Sequence, residues 1–182
     1  MEPVTLTAGD GLVLRPWRAE DGPAVLDALR DPAVARWNPP DSPSPDLAVA
    51  ADWVARRADW SGDEHASLAI CAAGTDELLG SVSLFRIDRV HDNAEMGYWV
   101  AAGARGRGVA ATAVRALTDW SFTTLGLARV QLFHAVENPA SCRVAEKAGY
   151  RLEGTARRSY RYGDGVLHDE HLHGRLATDP AD

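Results

Sequence analysis

Residues 97–111 read GYWVAAGARGRGVAA, an apolar strand followed by a bend of small residues, a glycine–arginine turn and the start of a helix. The chain places Arg105 and Arg107 in this turn although its formal net charge is −7. At a helix start several backbone N–H groups lack a partner within the helix, and the helix dipole adds partial positive charge. Gly106 and Gly108 leave room for a ligand to approach that backbone. The segment predicts an anion site, which pyrophosphate fits better than a single carboxylate.

The glycine spacing argues against two common nucleotide sites. The turn lacks the GxxxxGK[ST] pattern of nucleoside triphosphatases. It also lacks the GxGxxG pattern, followed about 20 residues later by an acidic residue, that dinucleotide-binding folds use. From this segment alone, an ordinary glycine-rich turn before a helix remains the alternative interpretation.

The composition predicts one folded domain over residues 1–182. Hydrophobic residues make up 46% of the chain and charged residues 25%, which is typical of globular proteins. The excess of 26 acidic over 19 basic residues argues against nucleic acid as a partner. We expect no membrane segment and no signal peptide, hence a cytoplasmic protein. Cys71 and Cys142 do not form a disulfide framework, and we expect both to be small buried side chains.

Hydrophobic periodicity predicts a mixed α+β fold. Helices are predicted over 22–30, 46–60, 106–125 and 138–149. A second short helical turn starts at Asp31–Pro32, and a proline-rich loop covers 38–45. Strands are predicted over 11–17, after an Asp10–Gly11 turn, and over 65–73, 77–87, 94–100 and 129–136, with two closing strands about Gly163–Asp164–Gly165. The helix between strands 94–100 and 129–136 requires a crossover, so this pair should be parallel in a mostly antiparallel sheet of about six to seven strands.

The run from Arg105 to Ala110 matches the R-x-x-G-x-G/A motif, and the chain resembles the GNAT acetyltransferases. AEMGYWV (94–100) and ENPASCRVAEKAGYRLEG (137–154) are similar to segments of the RimJ/RimL-like branch, and the resemblance covers nearly the whole chain. It implies acetyl-CoA as cofactor, helices on both faces of the sheet, a central parallel pair splayed to admit the pantetheine arm, and a plausible homodimer. The expected cofactor-binding residues are Tyr98, Trp99, Val100, Arg105, Gly106, Arg107, Gly108, Val109, Ala110, Asn138 and Ser141.

Two residues are candidates for proton transfer. Glu95 is the candidate base, directly or through a water, because strand alternation places it between apolar neighbours and related enzymes often carry the base here. A salt bridge or strand-end solvation is the equal alternative. Many GNAT enzymes carry a tyrosine seven residues after the helix-capping Asn, where this chain has Ala145. Ser141 is therefore the candidate acid toward the sulfur, with a first-turn backbone hydrogen bond as its alternative role. Tyr160 is a weaker alternative acid.

The resemblance implies an N-acetyltransferase that moves an acetyl group to a primary amine, either a protein N-terminal α-amine or a small cationic amine. Trp37, Glu95 and Tyr160 are expected to contact the acceptor. The alternatives are an acyl-CoA-binding sensor without catalysis and a transferase of a larger acyl group such as succinyl.

Two further clusters leave alternatives open. Seven acidic residues between Asp31 and Glu64 form either a solvated helix face or a collar that attracts a cationic partner. His168, His171 and His173 lie close together near the end of the sequence. No cysteine or second HxH stands beside them, so we expect no metal site and place them on a sheet face or acceptor-cleft wall.

Overall fold

A mixed sheet organises the chain in the computed structural model, which describes residues 1–9, 11–38 and 44–180. Within these residues the sheet has eight strands in the order β1-β2-β3-β4-β5-β6-β8-β7. Along the chain they are β1 (Leu6–Ala8), β2 (Leu12–Arg15), β3 (His65–Ala72), β4 (Leu78–Asp88), β5 (Asn93–Val100), β6 (Arg129–Ala135), β7 (Arg151–Arg161) and β8 (Leu167–Leu176).

Five α-helices connect the strands in the described part of the chain. They are α1 (Gly22–Arg30), α2 (Pro32–Trp37), α3 (Leu47–Ala58), α4 (Val109–Thr123) and α5 (Pro139–Lys147). Side-chain caps fix three of their starts, because an oxygen acceptor satisfies N–H groups that the first turn leaves unpaired. Asp31 caps α2, Asp46 caps α3 and Asn138 caps α5. None of the described helices is long and apolar enough to cross a membrane.

Two hydrophobic clusters lie on opposite faces of the sheet. Leu68 and Ile70 of β3 pack into the cluster that contains α4 and part of α5. Ala69 and Cys71 of the same strand pack into the cluster formed with α1, α2 and α3. Successive side chains of a strand point to opposite faces, so the helices cover both sides of the sheet, as predicted.

The sheet divides between β5 and β6, the parallel pair. These strands pair only from Asn93–Met96 of β5 to Arg129–Leu132 of β6, whereas the other neighbouring strands pair antiparallel. Beyond Met96, β5 continues against β4 and β6 continues against β8. Residues 97–100 of β5 thus have no sheet partner among the described residues on the β6 side. This confirms the splayed parallel pair.

The structure corrects the predicted strand count and the predicted start of α4. The sheet gains β1, a three-residue strand that is too short to show periodicity, so the predicted count of six to seven is slightly low. Helix α4 begins at Val109 instead of residue 106, because Gly106 and Gly108 have left-handed φ values of +75° and +81°. Asp10 of the predicted turn and residues 39–43 of the proline-rich loop lie outside the described residues.

Candidate active site

A cavity of about 380 Å³ opens where β5 and β6 separate. Its walls come from α2, the end of β5, the loop before α4 and the first turns of α4 and α5. Sequence reasoning missed Val34 and Asn38 on the α2 side, because only the folded chain brings that helix here. The cavity brings together Trp37 and ten of the predicted cofactor-binding residues, namely Tyr98, Trp99, Val100, Arg105, Gly106, Gly108, Val109, Ala110, Asn138 and Ser141.

The mouth of α4 offers backbone donors to this cavity. Gly108 is the N-cap of α4 and provides no side-chain acceptor. The N–H groups of the first helical turn therefore have no intrahelical partner, and Val109, Ala110 and Ala111 all line the cavity. A Cβ on Gly106 or Gly108 would meet no protein atom within 4 Å. The glycines leave open space in front of several unpaired donors, as an anion site requires.

The charge of the cavity wall is opposite to that of the chain. Its described charged residues are Arg105, Arg143 and Lys147, and no carboxylate lines it among the residues that the structure describes. A polyanion such as a nucleoside diphosphate with a further phosphate suits this wall. Sequence reasoning missed Arg143 and Lys147, although their four-residue spacing on α5 places both on one helix face.

Arg105 holds the loop before α4 against α2. Its guanidinium donates to the carbonyl of Val100 at 3.2 Å and forms an ion pair with Asp31 at 2.6 Å. The hydrogen bond from Arg105 is the main reason that the pKa of Asp31 lies below its usual range. The pair therefore stabilises the fold at neutral pH and is lost as the pH falls through that lowered pKa. Arg107 is exposed and does not line the cavity.

Ser141 and Tyr98 meet across the cavity wall. The Tyr98 hydroxyl donates to Ser141 Oγ at 2.9 Å, and burial raises the pKa of Tyr98 to about 12. Tyr98 thus keeps its proton at neutral pH, and the Ser141 hydroxyl, as the acceptor, keeps its own proton for another partner. The Asn138 side chain accepts from the Ser141 backbone N–H at 3.3 Å, which fixes this turn of α5. No described contact shows the Ser141 hydroxyl bonded to backbone.

Comparison with known proteins identifies this arrangement. A family model described as an acetyltransferase (GNAT) domain matches residues 11–151. The chain belongs to the GNAT acetyltransferase family. It is accordingly an enzyme that transfers an acetyl group from acetyl-CoA to an amine, and this favours catalysis over the non-catalytic sensor.

Individual relatives agree with this assignment. The chain is similar to the putative ribosomal N-acetyltransferase YdaF of Bacillus subtilis, with 35% identity over 132 residues, 72% of this chain and 69% of the relative. It is 38% identical to a spermidine N(1)-acetyltransferase of Vibrio cholerae over 77 residues, 42% of this chain and 44% of that protein. The structure of Mycobacterium smegmatis RimJ in complex with CoA-disulfide has the same fold, with a TM-score of 0.81, 24% identity and coverage of 97% of this chain and 90% of that one.

Glu95 of this GNAT enzyme lies outside the cavity, in the paired part of β5. It is three residues before Tyr98, about 10 Å along an extended strand. Its carboxylate accepts from Arg86 at 2.9 Å, and its side chain is 19% exposed compared with 76% for Arg86. The ion pair that was the alternative to catalysis is therefore present. An exposed partner of this kind can move away when another group approaches.

The two aromatic acceptor candidates have different positions in this acetyltransferase. Trp37 lines the cavity, and its ring packs edge-on against Tyr162 at a centroid distance of 5.5 Å. The Tyr160 ring also packs edge-on against Tyr162, at a centroid distance of 4.9 Å. However, Tyr160 is 46% exposed and does not line the cavity. The structure does not bring Tyr160 to the acyl site, because it lies on the exposed β7 strand.

The acidic run favours the solvated-face interpretation over a collar. Asp31 and Asp46 cap helices, and Asp59 accepts from the Ser61 backbone N–H. Asp52 pairs with Arg56 four residues later, and Asp63 pairs with the N-terminal amine. Asp41 lies outside the described residues. Five of the six described carboxylates are thus engaged within the protein, which favours a solvated face over a ring that attracts a cationic partner.

Proposed function

We propose that acetyl-CoA binds with its diphosphate at the mouth of α4 and its pantetheine arm along residues 97–100 of β5. The observation that carries this proposal is the single cavity that joins the unpaired β5 edge, the open glycine turn and Ser141. When bound, acetyl-CoA supplies a thioester carbonyl to an amine. The free β5 edge offers N–H donors of the kind that stabilise negative charge on an oxygen, and the cavity holds both reactants in proximity.

In this proposal, Ser141 donates a hydrogen bond to the departing sulfur and Tyr98 orients it. Because a thiolate leaves with a pKa near 8.5, about a 10-fold fall in kcat is expected for Ser141→Ala, with unchanged acetyl-CoA affinity. Tyr98→Phe removes the orienting donor and should lower kcat less. Steady-state kinetics and calorimetry measure both effects. Ser159→Ala, which removes a hydroxyl bonded to Glu170 outside the cavity, is the control. Unchanged kcat in Ser141→Ala would remove this serine from the mechanism.

The acceptor that we propose is the α-amino group of a peptide. A second cleft of about 780 Å³ lies on the same sheet face as Glu95, because its lining residue Phe85 is directly opposite Glu95 in the β4–β5 pair. Its formal charges balance, with three arginines and three acids: Arg57, Arg86, Arg89, Asp63, Glu64 and Asp88. With Glu95 on the same face the acids exceed the arginines by one, so the cleft offers little of the excess negative charge that a polyamine requires.

The chemistry of the amine supports the same choice. An α-amine with a pKa near 8 is about one-tenth neutral at pH 7, whereas a lysine amine is less than about a thousandth neutral. An N-terminus therefore depends less on a base than a lysine or a polyamine does. The relatives named above include both a ribosomal acetyltransferase and a spermidine acetyltransferase, so the acceptor must be tested directly.

The test is thiol release from acetyl-CoA with a matched set of amines. A peptide with a free N-terminal serine should give a kcat/KM at least about 10-fold above that of spermidine. The same peptide with a blocked N-terminus and one internal lysine is the control and should react at the spermidine level or below. A preference for spermidine would contradict the proposed acceptor while leaving acetyl transfer itself intact.

We also propose a cytoplasmic homodimer. Both cysteines are free, which fits a reducing compartment. Strand β7 is an edge strand of 11 residues and is exposed along most of its length, so its backbone groups are available for pairing with a second copy. Light scattering on the purified chain distinguishes the dimer from a monomer.

A further inference from the structure

Three histidines and one cysteine, here called the histidine–cysteine cluster, meet beneath α5. His134 lies on β6, His171 and His173 lie on β8, and Cys142 lies on the first turns of α5. One ligand atom from each residue lies within 4.8 Å of all the others. None of these four residues has a role in the proposed acetyl transfer, although Cys142 directly follows Ser141 on α5.

The register of the sheet explains how these side chains come together. His134 and His171 are directly opposite in the antiparallel β6–β8 pair, so their side chains lie on one face. His173, two residues further along β8, is on the same face. Helix α5 covers this face and brings the Cys142 sulfur to 3.8 Å from His173 Nε2.

The spacing is close to that of a tetrahedral metal centre. Zinc bonds of about 2.0–2.1 Å to nitrogen and 2.3 Å to sulfur place neighbouring ligand atoms about 3.3–3.6 Å apart. His134 Nε2 and His173 Nε2 are separated by 3.2 Å, and the sulfur contact to His173 is 3.8 Å. The ligand atoms all lie within 4.8 Å of one another, so the widest pairs would have to approach by roughly 1 Å to complete the coordination shell.

The surroundings of the histidines also favour a ligand. His134 Nδ1 lies 2.8 Å from the Ala135 carbonyl, and donation of its proton there leaves Nε2 with a lone pair that points into the cluster. His173 is fully buried with its Nε2 beside His134 Nε2 and the Cys142 sulfur, and the buried His171 Nδ1 has no hydrogen-bond partner in the described structure.

We propose that His134, Cys142, His171 and His173 bind one zinc-class divalent ion that fastens the first turns of α5 onto β6 and β8. Imidazole and thiolate ligands select Zn²⁺ or Co²⁺ over Mg²⁺ and Ca²⁺, which prefer oxygen. Four protein ligands leave no open position, so the site is structural. The Cys142 thiol loses its proton to solvent as the metal–sulfur bond forms. Cys142 and His171 are partly exposed, which gives the ion a path to the site.

Metal titration of the chelator-treated full-length protein tests this site. Co²⁺ should bind at one equivalent, with the thiolate-to-cobalt charge-transfer band and visible bands of a tetrahedral complex, and Zn²⁺ should displace it. Mg²⁺ should produce no change. Zn²⁺ should also raise the Tm of the protein, since binding to the folded state alone stabilises it. These readouts do not depend on acetyl transfer.

Variants of the two partly exposed ligands assign the site to these residues. Cys142→Ser should abolish the charge-transfer band and weaken zinc binding by at least about 100-fold, and His171→Gln should weaken it similarly. His91→Ala, at a histidine that is 72% exposed and outside the cluster, should keep one equivalent. Absence of the thiolate band in the unmodified protein, or equal zinc binding in Cys142→Ser, would overturn the proposal and leave a hydrogen-bonded histidine cluster.

Discussion

Gly108→Val is expected to remove measurable acetyl-CoA binding while the protein remains folded. Gly108 is the N-cap of α4 and has a φ of +81°, where a β-branched residue costs about 1–2 kcal/mol. Its new side chain would extend into space that holds no protein atom within 4 Å of the Cβ. We propose that the diphosphate occupies this space. Losing two charge-assisted N–H bonds should weaken binding by at least about 100-fold in isothermal calorimetry.

A matched variant separates the loss of the cradle from backbone strain. Gly126 follows the opposite end of α4, about 22 Å along the helix, and has a φ of +71° with no atom near a built Cβ. Gly126→Val should therefore lower the free energy of unfolding by a similar amount without changing acetyl-CoA affinity. Wild-type affinity in Gly108→Val would show that the diphosphate binds elsewhere.

Glu95→Gln is expected to lower kcat by at least about 100-fold with little change in acetyl-CoA affinity. Glutamine keeps the shape of the side chain but cannot accept a proton from the incoming amine. The residue lies on β5 before the split and outside the cavity that we propose for the cofactor, so the loss should be confined to the chemical step. Single-turnover kinetics and calorimetry on the same preparation measure the two quantities.

The ion pair with Arg86 provides the control for this prediction. If Glu95 only stabilises the fold, Glu95→Gln and Arg86→Gln should lower the free energy of unfolding by similar amounts, and both should leave kcat unchanged. If Glu95 is the base, Arg86→Gln should retain most activity, since Arg86 is largely exposed. Glu153→Gln, which breaks the pair between Glu153 on β7 and Arg129 on β6, should also retain activity. Wild-type turnover by Glu95→Gln at every pH would exclude Glu95 from catalysis.

Local sequence signals predicted most of the fold. Alternation over 94–100 and helical spacing after Val109 determine the strand–helix–strand unit, and the crossover rule then makes β5 and β6 parallel. The strand that was not predicted, β1, has only three residues and is stabilised by its pairing with β2. The predicted start of α4 was three residues too early. Gly106 and Gly108 precede the amphipathic run directly, and the sequence does not show that their φ values are left-handed and exclude them from the helix.

The site was predictable where one motif contains the residues and unpredictable where distant elements meet. Gly106 to Ala110 are contiguous, so their position at the start of α4 follows from the sequence. The Tyr98–Ser141 hydrogen bond joins residues 43 positions apart and depends on the packing of α5 beside β5. The histidine–cysteine cluster combines β6, α5 and β8, so the sequence alone does not show that these side chains meet.

The most direct measurement of the central claim is a crystal structure of the protein with bound coenzyme A. We predict diphosphate oxygens within hydrogen-bond distance of the backbone N–H groups at the start of α4, and pantetheine amides paired with residues 97–100 of β5. The thiol should lie near Ser141 Oγ. A coenzyme bound away from this helix mouth, or a β5–β6 gap closed by protein side chains, would contradict the account.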